Sequence, residues 1–183
     1  MDTALIISNS ENSIAYFIST LKAVSYVKIE SVSTCAQAKR LLGEKEYDIC
    51  IINSPLSDES GESLSLSIAA RGFCQVILVV RSEYYNEVAG HVEEAGVIAV
   101  AKPIDRAMFL NAVKLAKAAQ KRIRKLQTEN SLLIKRIDDI RVIDRAKCVL
   151  ISYLAMSEPE AHKYIEKQSM DMQKTKRVIA EGI

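Results

Sequence analysis

The chain has 183 residues, 49% of them apolar, with 25 basic and 23 acidic side chains and a net charge of +2. That is room for one ordinary domain plus a smaller module, with enough apolar content for a core and too much for a disordered chain. The apolar stretch near the N-terminus stops at Ser8 and lacks a basic segment before it, so neither a signal peptide nor a membrane span is expected, and a cytoplasmic location with no membrane partner follows by default.

In chain order, ALIIS (4–8), IESVS (29–33), DICIIN (48–53), QVILVV (75–80) and VIAVAK (97–102) are short, continuous and rich in Ile and Val. Such runs predict strands buried on both faces of a parallel sheet. Between them lie helically spaced residues: Ile14, Phe17, Ile18 and Leu21, then Ala36 to Leu42, Leu64 to Ile68, Val88 to Ala95, and Met108 to Ala119. Strict alternation predicts an α/β fold, a doubly wound five-stranded parallel sheet, with a ligand crevice outside the carboxyl ends of the strands.

Beyond Pro103 the character changes. From about residue 105 to 155 there is no proline or glycine, and apolar or small residues recur at 112, 116, 119, 123, 126, 130, 133, 137 and 140. This 4-3 spacing predicts a coiled-coil seam, with Ala116, Ile123, Asn130 and Ile137 at a positions and Ala119, Leu126, Leu133 and Ile140 at d positions. A lone Asn130 at an a position predicts a parallel homodimer of fixed register. The competing reading is an amphipathic helix folded back on the sheet domain. The helix runs on through Ile143, Ala146, Val149, Leu150 and Leu154; SEPEA then supplies Ser157 as N-cap, Pro159 in the first turn and Glu160 at the third position. Ala161, Tyr164, Ile165 and Gln168 mark the inner face of that second helix, with Tyr164 expected in the core. Val178, Ile179 and Ile183 mark a third, completing a small three-helix bundle.

Charge divides the chain the same way. Residues 1–110 carry 9 basic and 14 acidic residues, a net of −5, whereas residues 111–183 carry 16 and 9, a net of +7. The rear therefore suits a polyanion, unless its basic face is simply solvated. Four cysteines, Cys35, Cys50, Cys74 and Cys148, lie far apart in sequence with no C-x-x-C or Cys/His pairing, so they are expected as reduced packing residues and no metal or cofactor is expected. Two histidines and no Gly-rich phosphate loop or nucleophile-base pattern leave nothing to carry an enzymatic reaction.

Residues 3–118 resemble a response-regulator receiver, a flavodoxin-like domain. The resemblance places Ser8 and Asn9 where receivers carry an acidic metal-binding pair, Asn53 at the phosphoacceptor aspartate, Val80 at the strand-four hydroxyl, and Lys102 with Pro103 at the lysine-proline pair; Gly61 falls at the loop glycine. A divalent ion needs hard carboxylate oxygens, and none of Ser8, Asn9 and Asn53 has one. The resemblance therefore implies a pseudo-receiver, a degenerate phosphorylation site kept as a dimerisation or docking surface. Asp58 or Glu59, further along the loop, is the alternative of a displaced acceptor, and Lys102 is expected to partner Asn53. With no carboxylate and no basic cluster expected in the crevice, docking of a regulatory protein is favoured there over a small ligand.

Residues 141–183 resemble an ANTAR domain, on Arg141, Ile143, Ala146, Lys147 and Leu150, on Ser157, Glu160 and Ala161, and on Met170, Val178 and Ala180; Cys148 departs from the usual glycine. The resemblance implies a pseudo-receiver at 1–118, a dimerising coil at 112–140 and an RNA-binding bundle at 141–183. It also implies a phosphorylation-independent transcription antiterminator that binds paired stem-loops of leader RNA. Arg141, Arg145, Lys147, Lys174, Lys176 and Arg177 are the candidate RNA contacts, with Tyr164 or Met170 offered to loop bases. The alternatives are a signalling adaptor whose basic coiled coil binds an acidic partner, and a DNA target, weakened by the lack of a turn glycine between the bundle helices.

Overall fold

The computed structural model describes residues 2–183. Two units divide the chain, one reaching Lys125 and the other Leu126–Ile183.

Side-chain alternation sets the layers of the front unit. In β1 (Thr3–Ile7), Ala4 and Ile6 join one core while Leu5 and Ile7 join the other, and all four are fully buried, as a period of two requires. With β2 (Lys28–Val32), β3 (Ile49–Asn53), β4 (Gln75–Arg81) and β5 (Ile98–Lys102), β1 forms an all-parallel sheet of order β2-β1-β3-β4-β5. The strand ends agree with the expected ones to within a residue. This order reverses direction between β1 and β3, which opens a crevice at their carboxyl ends.

The connecting helices are α1 (Glu11–Ala23), α2 (Cys35–Glu44), α3 (Glu62–Ala70) and α4 (Tyr85–Val92), the last preceded by a 3₁₀ turn at Ser82–Tyr84. α1 and α2 begin where Ser10 and Thr34 accept hydrogen bonds from the backbone N–H groups of Ser13 and Gln37, filling orphan donors of the first turn. One core joins Leu5, Ile7, Cys50, Ile52 and Leu78 to Ala38, Leu64, Ile68 and Val92 of α2, α3 and α4. The other joins Ala4, Ile6, Ile51 and Val79 to Phe17 and Leu21 of α1 and to Phe109, Val113 and Ala116 of α5 (Arg106–Leu154). Each large side chain fully buried this way contributes about 1.5–3 kcal/mol.

Ala116 corrects one expectation. It and Ala112 are buried in the sheet domain's second core, so the first turns of the expected seam cover the sheet. The reason is geometric: an apolar stripe at 4-3 spacing fits a sheet surface as well as a partner helix. Further along, Ile123 is half-buried, whereas Leu126, Leu133, Ile137 and Ile140 are each more than half exposed, from 52 to 57%. Asn130 is exposed as well.

In the rear unit, Ala146 and Leu150 of α5 pack with Ala161 and Ile165 of α6 (Glu158–Asp171) and with Ile179 and Ala180 of α7 (Lys176–Ala180). α6 starts where SEPEA predicted: the Glu160 carboxylate accepts from the Ser157 backbone N–H at 2.8 Å and from its hydroxyl at 2.7 Å. Two details differ from expectation. α7 stops at Ala180, leaving Ile183 outside it, and Tyr164 is exposed while Ala161 and Ile165 fill the core, because two small or branched residues one turn apart already complete that helix's contact stripe.

Candidate functional site

The crevice at the carboxyl ends of β1 and β3 gathers the residues expected at the degenerate site. Ser8 and Asn53 are buried, Asn9 is exposed, and Val80 belongs to the core on the α3–α4 side. Asn53 Nδ2 donates to Ser8 Oγ at 3.0 Å. The Ser8 hydroxyl in turn donates to the Ser10 carbonyl and accepts from the Ser10 N–H. Two neutral side chains thus face each other where a metal site would need carboxylates.

Lys102 does not partner Asn53; its Nζ donates to the Ser54 carbonyl at 2.5 Å. Nor is the crevice free of a basic cluster, as expected from sequence. Arg81 is the register partner of Lys102 across β4 and β5, and both line the cavity with Asn9, Asn12, Tyr16 and Asn53. Partial burial, and then the charge of Arg81, hold the Lys102 ammonium below its ordinary pKa. Sequence reading missed Arg81 because it lies 21 positions from Lys102 and only the β4–β5 register brings the two together.

The neighbouring acids have other employment. Asp58 accepts from the backbone N–H groups of Cys35 and Ala36 at 3.0 Å each, capping the first turn of α2, and these bonds hold its carboxyl below the usual range. Glu59 pairs with Lys39 at 2.7 Å. Asp48, at the amino end of β3, is buried, accepts from the Thr3 N–H at 2.8 Å and pairs with Arg124 at 2.7 Å. Cys50 and Cys74, distant in sequence, have sulfurs 3.3 Å apart, and this hydrogen-bonded contact, followed by burial, pushes the Cys50 thiol well up, keeping it neutral. Cys148 is exposed and is not a packing residue.

In the rear unit the six candidate RNA contacts divide into two sets. Lys147 pairs with Asp144 and Glu158, both at 2.9 Å, and these carboxylates raise its pKa. Lys176 pairs with Glu166 at 2.7 Å. Arg177 reaches Asp138, Asp139 and Glu181 at 2.6, 2.7 and 2.8 Å, tying α7 to α5. Arg141, Arg145 and Lys174 are exposed and stand outside these pairs. Arg141 and Arg145 lie one turn apart on one helix face. Met170 and Tyr153 are strongly exposed, at 74 and 84%. Among the described residues, no group of three His, Cys, Asp or Glu side chains could hold a metal ion, and no helix is long and apolar enough to cross a membrane.

Comparison with known proteins agrees with this division. Residues 133–183 match the ANTAR domain family, starting seven residues after the rear unit's first residue. The chain is 25% identical over 164 residues to the transcriptional regulatory protein PdtaR of Mycobacterium tuberculosis, covering 89% of this chain and 80% of that protein. Among solved structures, the signal receiver domain of an HD domain-containing protein from Pseudomonas fluorescens aligns at TM-score 0.59 with 21% identity, over 68% of this chain and 92% of that one. A CheY-like response regulator receiver domain protein from Methanospirillum hungatei aligns at 0.58 with 17% identity, over 67 and 98%. The chain is a receiver-fold domain joined to an ANTAR domain, and these matches point to a transcription regulator.

Proposed function

We propose that this protein is a transcription antiterminator that works without aspartyl phosphorylation and binds paired stem-loops of leader RNA as a parallel coiled-coil dimer. The observation that carries the reading is the row of exposed apolar side chains, Leu126, Leu133, Ile137 and Ile140, leading into and through the start of the ANTAR match at 133–183. Such a row costs free energy in water unless a second helix covers it. Two copies joined there carry two ANTAR domains, and the second hairpin of a pair then binds at a raised effective concentration. In this reading residues 1–118 are the pseudo-receiver, 112–140 the dimerising segment, with Ala112 and Ala116 spent on the sheet, and 141–183 the RNA-binding bundle in the cytoplasm.

Contacts to RNA fall to Arg141, Arg145 and Lys174, since Lys147, Lys176 and Arg177 already serve carboxylates of the bundle. Loop bases would stack on exposed Tyr164 or Met170. The test is an electrophoretic shift of unphosphorylated protein with tandem-hairpin RNA, against single-hairpin RNA and duplex DNA, over a salt series. Binding to paired hairpins should weaken with a log-log salt slope of about −0.7 per phosphate contact on single-stranded segments, and Arg141→Ala with Arg145→Ala should abolish it. Equal binding of duplex DNA would transfer the reading to DNA, and binding to no nucleic acid would transfer it to an adaptor whose basic coil docks an acidic protein.

A further inference from the structure

We propose that the crevice between the ends of β1, β3 and β5 is a binding site for a small organic oxoanion that also carries an N–H or O–H donor. Lys102 and Arg81 receive its acidic group, and the carbonyl oxygen of Asn53 receives its donor. This proposal does not rest on the RNA reading; it concerns the signal the front unit takes in.

The cavity is about 650 Å³, within the span of small-molecule sites and larger than an inorganic ion needs. It lies at the point where the strand order reverses, the usual place for a ligand in an open α/β sheet. Its lining is one-sided in charge: Arg81 and Lys102 supply two cations, the rest is amide, hydroxyl and apolar, and no carboxylate lines it. Arg81 pairs with one carboxylate, Glu83 at 3.5 Å, an exposed pair that leaves most of its fork uncommitted; Glu62 and Glu87 line an adjoining cavity with it but form no ion pair with it. Lys102 spends one donor on Ser54 and keeps two. Placed side by side on adjacent strands, the two cations repel, and an anion between them relieves that repulsion. A divalent cation is disfavoured on the same grounds.

Asn53 points to the second half of the ligand. It is 5% exposed, and its carbonyl oxygen has no hydrogen-bond partner although buried. The amide orientation follows from Ser8: that hydroxyl has a single proton, given to the Ser10 carbonyl, so it accepts from Asn53 and the Asn53 oxygen is the atom left over. The Tyr16 hydroxyl, in the same lining, is also buried without a partner. Native proteins rarely leave buried polar atoms unpaired, and a ligand group that pairs with them is one resolution.

Isothermal titration and thermal shift on the full chain, with malate, succinate, glycerol 3-phosphate and sulfate as probes, test the proposal. Malate and glycerol 3-phosphate should bind one per chain and raise the melting temperature; which of them is tighter separates a carboxylate from a phosphate source. Succinate, which lacks the hydroxyl of malate, and sulfate should bind about tenfold more weakly, the value of one hydrogen bond. Arg81→Gln, at an exposed position, should weaken binding about tenfold with the unliganded melting temperature unchanged; Lys102→Gln, which also loses the bond to Ser54, should weaken binding similarly, while Glu83→Gln should retain or tighten it. Absence of binding by all four probes, or full binding by Arg81→Gln and Lys102→Gln, would overturn the site; equal affinity for malate and succinate would overturn the role of Asn53.

Discussion

Asn53 and Ser8 meet through a 3.0 Å hydrogen bond from amide to hydroxyl, two neutral groups at the carboxyl ends of neighbouring strands. Phosphoryl transfer to a carboxylate requires a carboxylate and a divalent ion to offset the charge, and this pairing offers neither. Acetyl phosphate with magnesium should leave the intact mass of the protein unchanged. Asn53→Asp alone should restore no phosphorylation, because Ser8 and Asn9 still supply no metal ligand. A phosphoryl adduct on the wild-type chain, mapped to Asp58 or Glu59, would reverse this conclusion.

Gly61 precedes α3 with φ at +86°, and a Cβ there would lie 2.7 Å from Ile52 Cγ2, a fully buried atom of β3. Both the left-handed backbone and the collision act against any side chain. Gly61→Ala should cost about 2–4 kcal/mol, the sum of left-handed strain and overpacking. Urea denaturation read by circular dichroism gives the figure; a loss below about 0.5 kcal/mol would show that the loop relaxes freely.

On the proposed seam, Leu133→Asp with Ile137→Asp puts two carboxylates into each helix of the pair, and sedimentation should then show a monomer. Asn130→Leu should act oppositely, raising the stability of the dimer while loosening its register and strand number. A dimer that survives the double aspartate change would locate the interface elsewhere.

Acid should loosen the bundle through its cap. Bonds from the Ser157 hydroxyl and N–H hold the Glu160 carboxyl below its ordinary value of 4.5. The folded value lies under the unfolded one, so the stabilisation is complete above about 4.5 and fades as the pH falls through the lower, folded value. Glu166, held down by Lys176, acts in the same direction. Glu160→Gln should lower the melting temperature at neutral pH and flatten its decline on acidification. Parallel melting curves for variant and wild type at every pH would refute the cap's role.

Much of this molecule is determined by local pattern. Continuous Ile/Val runs give strands buried on both faces, Ser157 with Glu160 starts α6 wherever the chain goes, and the absence of carboxylates at Ser8, Asn9 and Asn53 is a property of composition at a known register. The strands and the cap were legible because each depends on residues within a few positions, or on a strand's own periodicity, whereas the missing carboxylates were legible only through the resemblance to receivers, which says where they would stand. The tertiary structure alone decided which face of α5 meets the sheet, since a 4-3 stripe is equally satisfied by strands or by a second helix, and Ala116 went to the strands. It alone turned Asp58 into a helix cap, committed Lys147, Lys176 and Arg177 to carboxylates of the bundle, and set Arg81 beside Lys102. The reason is that charge partners are chosen by distance in space, which strand register and helix packing set.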